Sequence, residues 1–283
     1  MIAYPTWLKP EILTLGPLTL RWYGLMYVIG FFLGAWVLRI RARRGLFTVN
    51  YAQADLLVNY LFVGMLIGAR LVYCTLYNWD QYSLNPIEIL YVWQGGLSFH
   101  GAALGMVGAC ALFARRYRLP FYMVTDTLAI TAPPGLFFGR FGNFINGELW
   151  GRATDVPWAM VFPRDPSSLP RHPSQIYQAL TEGLLVFLLL YGLQAWLVRT
   201  GRYRYGFVGG TFLAAYGAFR FYTEFFREPD AQLGFVVGSF SMGQVLCFLM
   251  VVAGVGVLWH TKSKMPLFVP KPPKKEFLEA PSH

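Results

Sequence analysis

Charge is scarce along this chain. Asp, Glu, Lys and Arg make up 13% of its 283 residues, about half the share of an ordinary soluble domain. A water-soluble fold of this length needs far more polar surface, so the composition excludes a water-exposed globule and makes lipid the solvent. Acidic residues are the scarcer sign, 14 against 24 basic, giving a net charge of +10. Nucleic acid is the usual partner of such an excess in a soluble protein. Here the basic residues flank apolar runs, so orientation in a membrane accounts for them better. Cysteine is nearly absent. Cys74, Cys110 and Cys247 form neither a CxxC nor a Cys/His ligand spacing, so no zinc site is expected, nor any other metal or cofactor. All three lie in apolar stretches and read as small buried hydrophobes. Residues 1–19 lack the basic start and cleavage site of a signal peptide. Pro5, Trp7, Pro10 and Pro17 suggest a short irregular segment at the membrane surface, with the first span as an uncleaved insertion signal. No internal repeat is visible.

What the chain does have is apolar length: 55% hydrophobic and 18% aromatic residues. A helical span needs about 20 mostly apolar residues. Seven stretches qualify, at roughly 20–39, 53–76, 96–114, 120–139, 176–198, 206–227 and 239–260. The expected fold is therefore an all-α polytopic membrane protein of seven transmembrane helices. The stretch 120–139 is the weakest, because Asp126 and Pro133-Pro134 interrupt it. A broken or tilted helix lining a polar cavity is expected there. Arg39, Arg41, Arg43 and Arg44, then Arg115, Arg116 and Arg118, then Arg199, Arg202 and Arg204, with Lys262, Lys264, Lys271, Lys274 and Lys275, all fall on one side, whereas 78–95 carries no basic residue. The positive-inside rule places the N-terminus outside and the C-terminus in the cytoplasm. The organisation expected is a surface segment at 1–19 and a membrane domain at 20–260 with a small extracytoplasmic cap at about 140–175. A basic tail at 261–283 follows, suited to anionic headgroups. Gly30-x-x-x-Gly34, Gly64-x-x-x-Gly68 and Gly101-x-x-x-Gly105 read as close helix packing.

Ionisable residues at lipid depth cost about 2.5–3.5 kcal/mol each on the insertion scale, so they are where function is sought first. They are Arg70, His100, Asp126, Arg140, Glu148, Glu182, Arg220, Glu224 and Arg227. In the sixth stretch Tyr216, Arg220, Glu224 and Arg227 stand at i, i+4, i+8 and i+11. A helix puts them in one narrow wedge, joined by Thr223, that must face the bundle interior. Either they bind substrate or they form a structural Arg–Glu ladder. A second feature, Gly139-Arg140-Phe141-Gly142-Asn143-Phe144-Ile145-Asn146-Gly147-Glu148, follows the fourth stretch. Its glycines permit close approach, Arg140 offers a fork suited to phosphate, and Asn143, Asn146 and Glu148 can bond hydroxyls. Helix-capping would use some of the same residues. A third, Gly95-Gly96-Leu97-Ser98-Phe99-His100-Gly101, sets a histidine among glycines, where it serves proton transfer or, more plainly, packing. A transporter or a non-catalytic lipid binder would use some of the same features.

Taken in order, these motifs resemble the prolipoprotein diacylglyceryl transferase family over nearly the whole chain. Trp22-Tyr23-Gly24-Leu25-Met26-Tyr27, Trp150-Gly151-Arg152, Arg171-His172-Pro173-Ser174-Gln175, Tyr216-Gly217-Ala218-Phe219-Arg220 and Glu224-Phe225-Phe226-Arg227 complete the likeness. The resemblance implies a bacterial cytoplasmic-membrane transferase with its active site on the extracytoplasmic side. It would move the diacylglyceryl group of phosphatidylglycerol to the lipobox cysteine thiol of a preprolipoprotein, releasing glycerol phosphate. Catalytic roles fall to His100 as base, Tyr23 as second proton acceptor or orienting group, and Arg140 and Arg220 as phosphate clamp. Substrate binding falls to Arg140, Asn143, Asn146, Glu148, Tyr216, Arg220 and Glu224, with Gly151 permitting a turn beside the pocket. Arg171 and His172 are expected to gate or brace the outer loop.

Overall fold

The computed structural model describes residues 2–5, 7–15, 18–91, 95–228, 235–237 and 240–268. Lys271, Lys274 and Lys275 of the expected tail lie outside them. The chain divides into two compact units. One holds residues 1–37 and 126–269, the other 38–125 and 270–283.

Helices dominate both units. The first unit opens on an antiparallel hairpin, β1 (Glu11–Leu15) with β2 (Leu18–Arg21). This corrects the irregular segment expected at 1–19: Leu13, Leu15, Leu18 and Leu20 alternate with polar residues, and that period of two outweighs the flanking prolines. Helix α1 (Trp22–Arg43) follows, and α5 (Phe121–Ile145) runs beside it. A Cβ on Gly30 would come 2.9 Å from the Gly135 Cα, and one on Gly34 would come 3.3 Å from the Thr131 carbonyl. The small residues thus set the approach of α1 to α5, as expected from their spacing. Helix α5 also corrects an expectation. It is continuous through Pro133 and Pro134 and carries on to Ile145, so Arg140 and Asn143 sit on its last turns and not in the cap.

Asp126 is not a cavity residue either. It is fully buried and accepts from the Tyr203 hydroxyl (2.7 Å) and the backbone N–H groups of Gly206 (2.9 Å) and Gly209 (2.7 Å). Those amides lie at the N-terminus of α8 (Phe207–Thr223), so Asp126 caps a neighbouring helix from the side and offsets its dipole.

The segment expected to form the cap is a loop carrying β3 (Met160–Val161) paired with β4 (Pro170–Arg171). It leads into α6 (Ser174–Gln178), a π-helical turn (Ala179–Leu185) and α7 (Val186–Arg199). Helix α9 (Met242–Lys264) packs on α8, with a Cβ on Gly217 reaching 2.8 Å from the Cys247 carbonyl and one on Gly254 reaching 2.5 Å from the Ala214 nitrogen.

The second unit is built on α2 (Tyr51–Val72), α3 (Trp79–Leu84) and α4 (Phe99–Tyr117). A Cβ on Gly68 would fall 2.2 Å from the Gly101 carbonyl, and one on Gly64 2.6 Å from that of Gly105. Both glycine pairs therefore serve backbone contact. Arg70, singled out in the sequence for its depth, is a brace. Its guanidinium donates to the carbonyls of Glu88 (2.6 Å), Ile89 (2.9 Å), Gly95 (2.6 Å) and Gly96 (3.2 Å).

Among the described residues, four helical stretches are long and apolar enough to cross a membrane: Trp22–Arg43, Tyr51–Tyr77, Ser174–Arg199 and Met242–Lys264. Their outward faces are apolar, with Phe32 69% and Trp259 76% exposed. Contiguous apolar surface of that kind has no place in water. The protein is a multi-pass membrane protein.

Candidate functional site

Every predicted site residue except His100 belongs to the first compact unit. They gather in two adjoining clusters, linked by Arg140 and Asn143, one turn apart on α5.

The first cluster is ionic and centres on Glu182. This residue sits in the π-helical turn between α6 and α7 and is fully buried. A Cβ on its neighbour Gly183 would come 2.6 Å from the Phe137 Cβ, so the glycine lets the π turn lie directly on α5. Glu182 Oε1 accepts from the Thr223 hydroxyl at 2.9 Å. Two guanidiniums approach it from different helices: Arg140 Nη2 of α5 at 3.8 Å from Oε2, and Arg220 Nη1 of α8 at 3.8 Å from Oε1. Both separations exceed hydrogen-bonding range. Glu182 Oε2 and Arg220 Nη1 are buried without a hydrogen-bond partner among the described residues. Arg220 Nη2 also lies 2.7 Å from Glu224 Oε2, and Arg227 Nη1 lies 3.7 Å from Glu224 Oε1. Glu224 Oε1 in turn accepts from the Ser241 hydroxyl at 3.1 Å. Three guanidiniums thus face two carboxylates, an excess of one positive charge in a largely buried setting. Tyr216 is buried beside them, within electrostatic reach of Glu182, Arg220 and Arg140.

The expected helical stripe is corrected in one respect. Helix α8 stops at Thr223, a 3-10 turn carries Glu224–Phe226, and Arg227 is extended. Arg227 reaches Glu224 by this change of direction, not by helical periodicity. Glu182 itself is visible in the sequence only as a charge at lipid depth. Its convergence with both arginines depends on the π turn, which helical periodicity does not show.

The second cluster is polar. Glu148 Oε1 accepts from Asn143 Nδ2 (2.9 Å) and Asn146 Nδ2 (3.1 Å). The Tyr23 hydroxyl lies 3.0 Å from that of Tyr27 and interacts with Asn143 and Glu148. Gly142 gives Tyr23 its place, since a Cβ there would come 3.0 Å from the Tyr23 ring. Asn146 Oδ1 is buried with no partner among the described residues. The carboxylate takes both amide nitrogens, which leaves the Asn146 oxygen as an acceptor suited to a hydroxyl group.

Gly151 joins the clusters to the cap. Its N–H donates to the His172 carbonyl at 2.9 Å, and it bridges Arg227 in an antiparallel contact. A Cβ there would come 2.3 Å from the Phe226 carbonyl oxygen, so only glycine fits without a backbone shift. Arg171 braces the cap, pairing with Asp165, with Glu228 at 3.0 Å, and with the Gly151 carbonyl at 3.2 Å. Burial alone would raise the Asp165 carboxyl, but the hydrogen bonds from Arg171 and Ser167 outweigh it and hold the group below its ordinary value. His172 Nδ1 lies 3.1 Å from the Tyr177 hydroxyl, and burial lowers its pKa.

His100 opens α4 in the second unit, one residue after the start and two after the Ser98 cap. Its side chain lies outside what the structure describes. Cys74, Cys110 and Cys247 are free and buried, as expected of packing residues.

Residues 10–260 match the family described as prolipoprotein diacylglyceryl transferase. The chain is 46% identical over 259 residues to the phosphatidylglycerol–prolipoprotein diacylglyceryl transferase of Nitratidesulfovibrio vulgaris, covering 91% of this chain and 96% of that one. It is 46% identical over 277 residues to the enzyme of the same name from Bordetella bronchiseptica, covering 97% and 100%. The Pseudomonas putida enzyme of that name is 44% identical over 275 residues, covering 95% and 100%.

Proposed function

The chain belongs to the prolipoprotein diacylglyceryl transferase family, and on that footing we propose that it transfers the diacylglyceryl group of phosphatidylglycerol to the lipobox cysteine of a preprolipoprotein signal peptide. The thiolate sulfur forms a bond to the terminal glyceryl carbon. The bond from that carbon to the phosphate oxygen breaks, and glycerol phosphate leaves. The phosphate begins as a monoanionic diester and ends as a dianionic monoester, so negative charge grows on the leaving group.

The observation that carries this reading is the arginine pair. Arg140 and Arg220, on different helices, each stand 3.8 Å from Glu182 with donor capacity unspent on Arg220. A phosphate in the same place would accept charge-assisted bonds from both, and those bonds strengthen as charge develops in a water-poor site. Glu182 and Glu224 hold the forks apart and aimed. Asn143, Asn146 and Glu148 take the glycerol hydroxyls, Tyr216 closes the site, and Gly151 keeps the cap strand against it. The thiol proton goes to His100, with Tyr23 as second acceptor or orienting group. No cofactor or metal is part of this scheme.

In this proposal seven helices cross the bacterial cytoplasmic membrane: α1, α2, α4, α5, α6 with α7, α8 and α9. The arginines ending α1 and α4 and lying between α7 and α8 mark the cytoplasmic side, which leaves the two clusters facing outward. A reporter active only in the cytoplasm should be active after residue 264 and silent within 78–91. The opposite pattern would put the site on the wrong face. For the reaction, purified protein with phosphatidylglycerol and a lipobox peptide should add one diacylglyceryl unit to the peptide by mass. Arg220→Ala and Arg140→Ala should abolish the gain, and Arg→Lys should be poor because an ammonium cannot reproduce the two-pronged fork. Full transfer by an inserted Arg220→Ala protein would remove that residue from the mechanism.

A further inference from the structure

A cavity of about 290 Å3 lies beside the polar cluster, within the first compact unit. It is an open cavity bordered by the N-terminal segment, the C-terminal end of α5 and the turn after β3. Tyr4, Lys9, Glu11, Asn146, Gly147 and Arg164 line it. The catalytic scheme uses only one of these, Asn146.

Its chemistry is specific. Lys9 and Arg164 are exposed cations, and Glu11 is the single opposing charge in the lining. The carbonyl end of α5 would repel an anion. Tyr4 offsets part of that repulsion, since its hydroxyl donates a shared bond to the carbonyls of Phe144 (2.8 Å) and Ile145 (3.0 Å) and its ring packs against Phe144 and Phe162. Arg164 lies within electrostatic reach of Tyr4, on the same wall. Asn146 links the cavity to the first site. Its Nδ2 is spent on Glu148, and its buried Oδ1 accepts nothing among the described residues. A ligand here would meet two cations and one carboxylate, with Asn146 on the wall shared with the polar cluster. The volume sits at the lower limit of small-molecule sites, room for a small polar fragment and not for a lipid.

We propose that this cavity binds a glycerol phosphate group, phosphate toward Lys9 and Arg164 and hydroxyl toward Asn146, and that it is the holding site through which the leaving group quits the transfer site. The second clause rests on the proposed function; the binding itself does not. The shared chemistry could also come from the headgroup of an intact anionic lipid, so the test separates the two.

Free glycerol phosphate is titrated calorimetrically into the purified full chain in zwitterionic detergent, without peptide. Lys9→Ala/Arg164→Ala should weaken binding at least tenfold, and Glu11→Gln should tighten it. The opposite signs distinguish a site from general loss of fold. Phosphatidylglycerol retained by each purified variant is counted by mass spectrometry. Retention equal to wild type assigns the cavity to the free leaving group, and retention that falls with the double variant assigns it to a lipid headgroup. The single-turnover transfer rate should be unchanged in the double variant. Because binding is read without peptide, a chain that fails to transfer but binds in this pattern would sink the proposed function and keep the site. Affinity for glycerol phosphate equal to wild type in the double variant would overturn the inference.

Discussion

Replacing Glu182 by Gln isolates charge from shape. Glutamine keeps the volume, and its Oε1 can keep the Thr223 bond, so the π turn has no steric reason to move. What disappears is one negative charge 3.8 Å from each of two guanidiniums. At an effective dielectric of 20 each pair is worth about 4 kcal/mol of attraction. Part of that returns, because a buried amide costs less to desolvate than a carboxylate. Breaking a buried pair costs about 3–5 kcal/mol net, since the remaining charges are left uncompensated. Arg220 retains Glu224 at 2.7 Å, so the larger share falls on Arg140. The local excess rises from one positive charge to two. The protein should then unfold earlier in a zwitterionic detergent, and phosphatidylglycerol should restore more stability to Glu182→Gln than to wild type, because the lipid phosphate supplies the missing anion. The assay is thermal unfolding with and without added phosphatidylglycerol. Equal melting of the two proteins without lipid would refute the electrostatic account. Equal gains on adding it would show that no phosphate enters between the arginines.

Two further outcomes follow from particular contacts. Gly151→Ala places a methyl group 2.3 Å from the Phe226 carbonyl oxygen and 2.7 Å from the His172 Cβ. Backbone must give way, so the cap should detach locally, read as faster proteolysis within 152–171 with transfer lost and the melting of the helices little changed. Unaltered cleavage and full activity would mean the contact is not held in the membrane. If His100 is the base, His100→Ala should depress transfer most near neutral pH. Part of the rate should return as pH rises toward the ordinary thiol value of about 8.5, where the peptide ionises unaided. Loss at every pH together with loss of lipid binding would make His100 a substrate contact.

The helices were legible because their signal is length and composition, which tertiary contacts do not alter. All seven apolar stretches are helical, and their ends shift by a few residues. Two of the departures share a cause. Locally Pro133 and Pro134 read as breakers and Asp126 as a cavity residue, yet each meets a neighbour far along the chain: α1 packs on α5 beside the prolines, at Gly30, and α8 lends Asp126 its free amides. A breaker costs about 3 kcal/mol in an isolated helix, and a neighbouring helix at membrane depth can offset that by satisfying the freed groups. Local rules hold only until such a neighbour arrives.

The site divides along the same line. Arg140, Asn143 and Glu148 are one motif, and Tyr216, Arg220 and Glu224 are one helical stripe, so each group could be found from spacing alone. That the two groups meet could not be found so, because the meeting point is Glu182. A regular helix advances about 100° per residue. The π turn at Ala179–Leu185 breaks that advance, and with it any projection from α6 to the direction of the Glu182 side chain. Gly183 is the trace this left in the sequence: a helix-weakening residue beside a charge at lipid depth, explicable once the Phe137 backbone is found 2.7 Å from where its Cβ would stand. A glycine adjoining an intramembrane acid is thus a signal worth reading as a helix pressed close enough to deliver a carboxylate, and here it delivers one between two arginines.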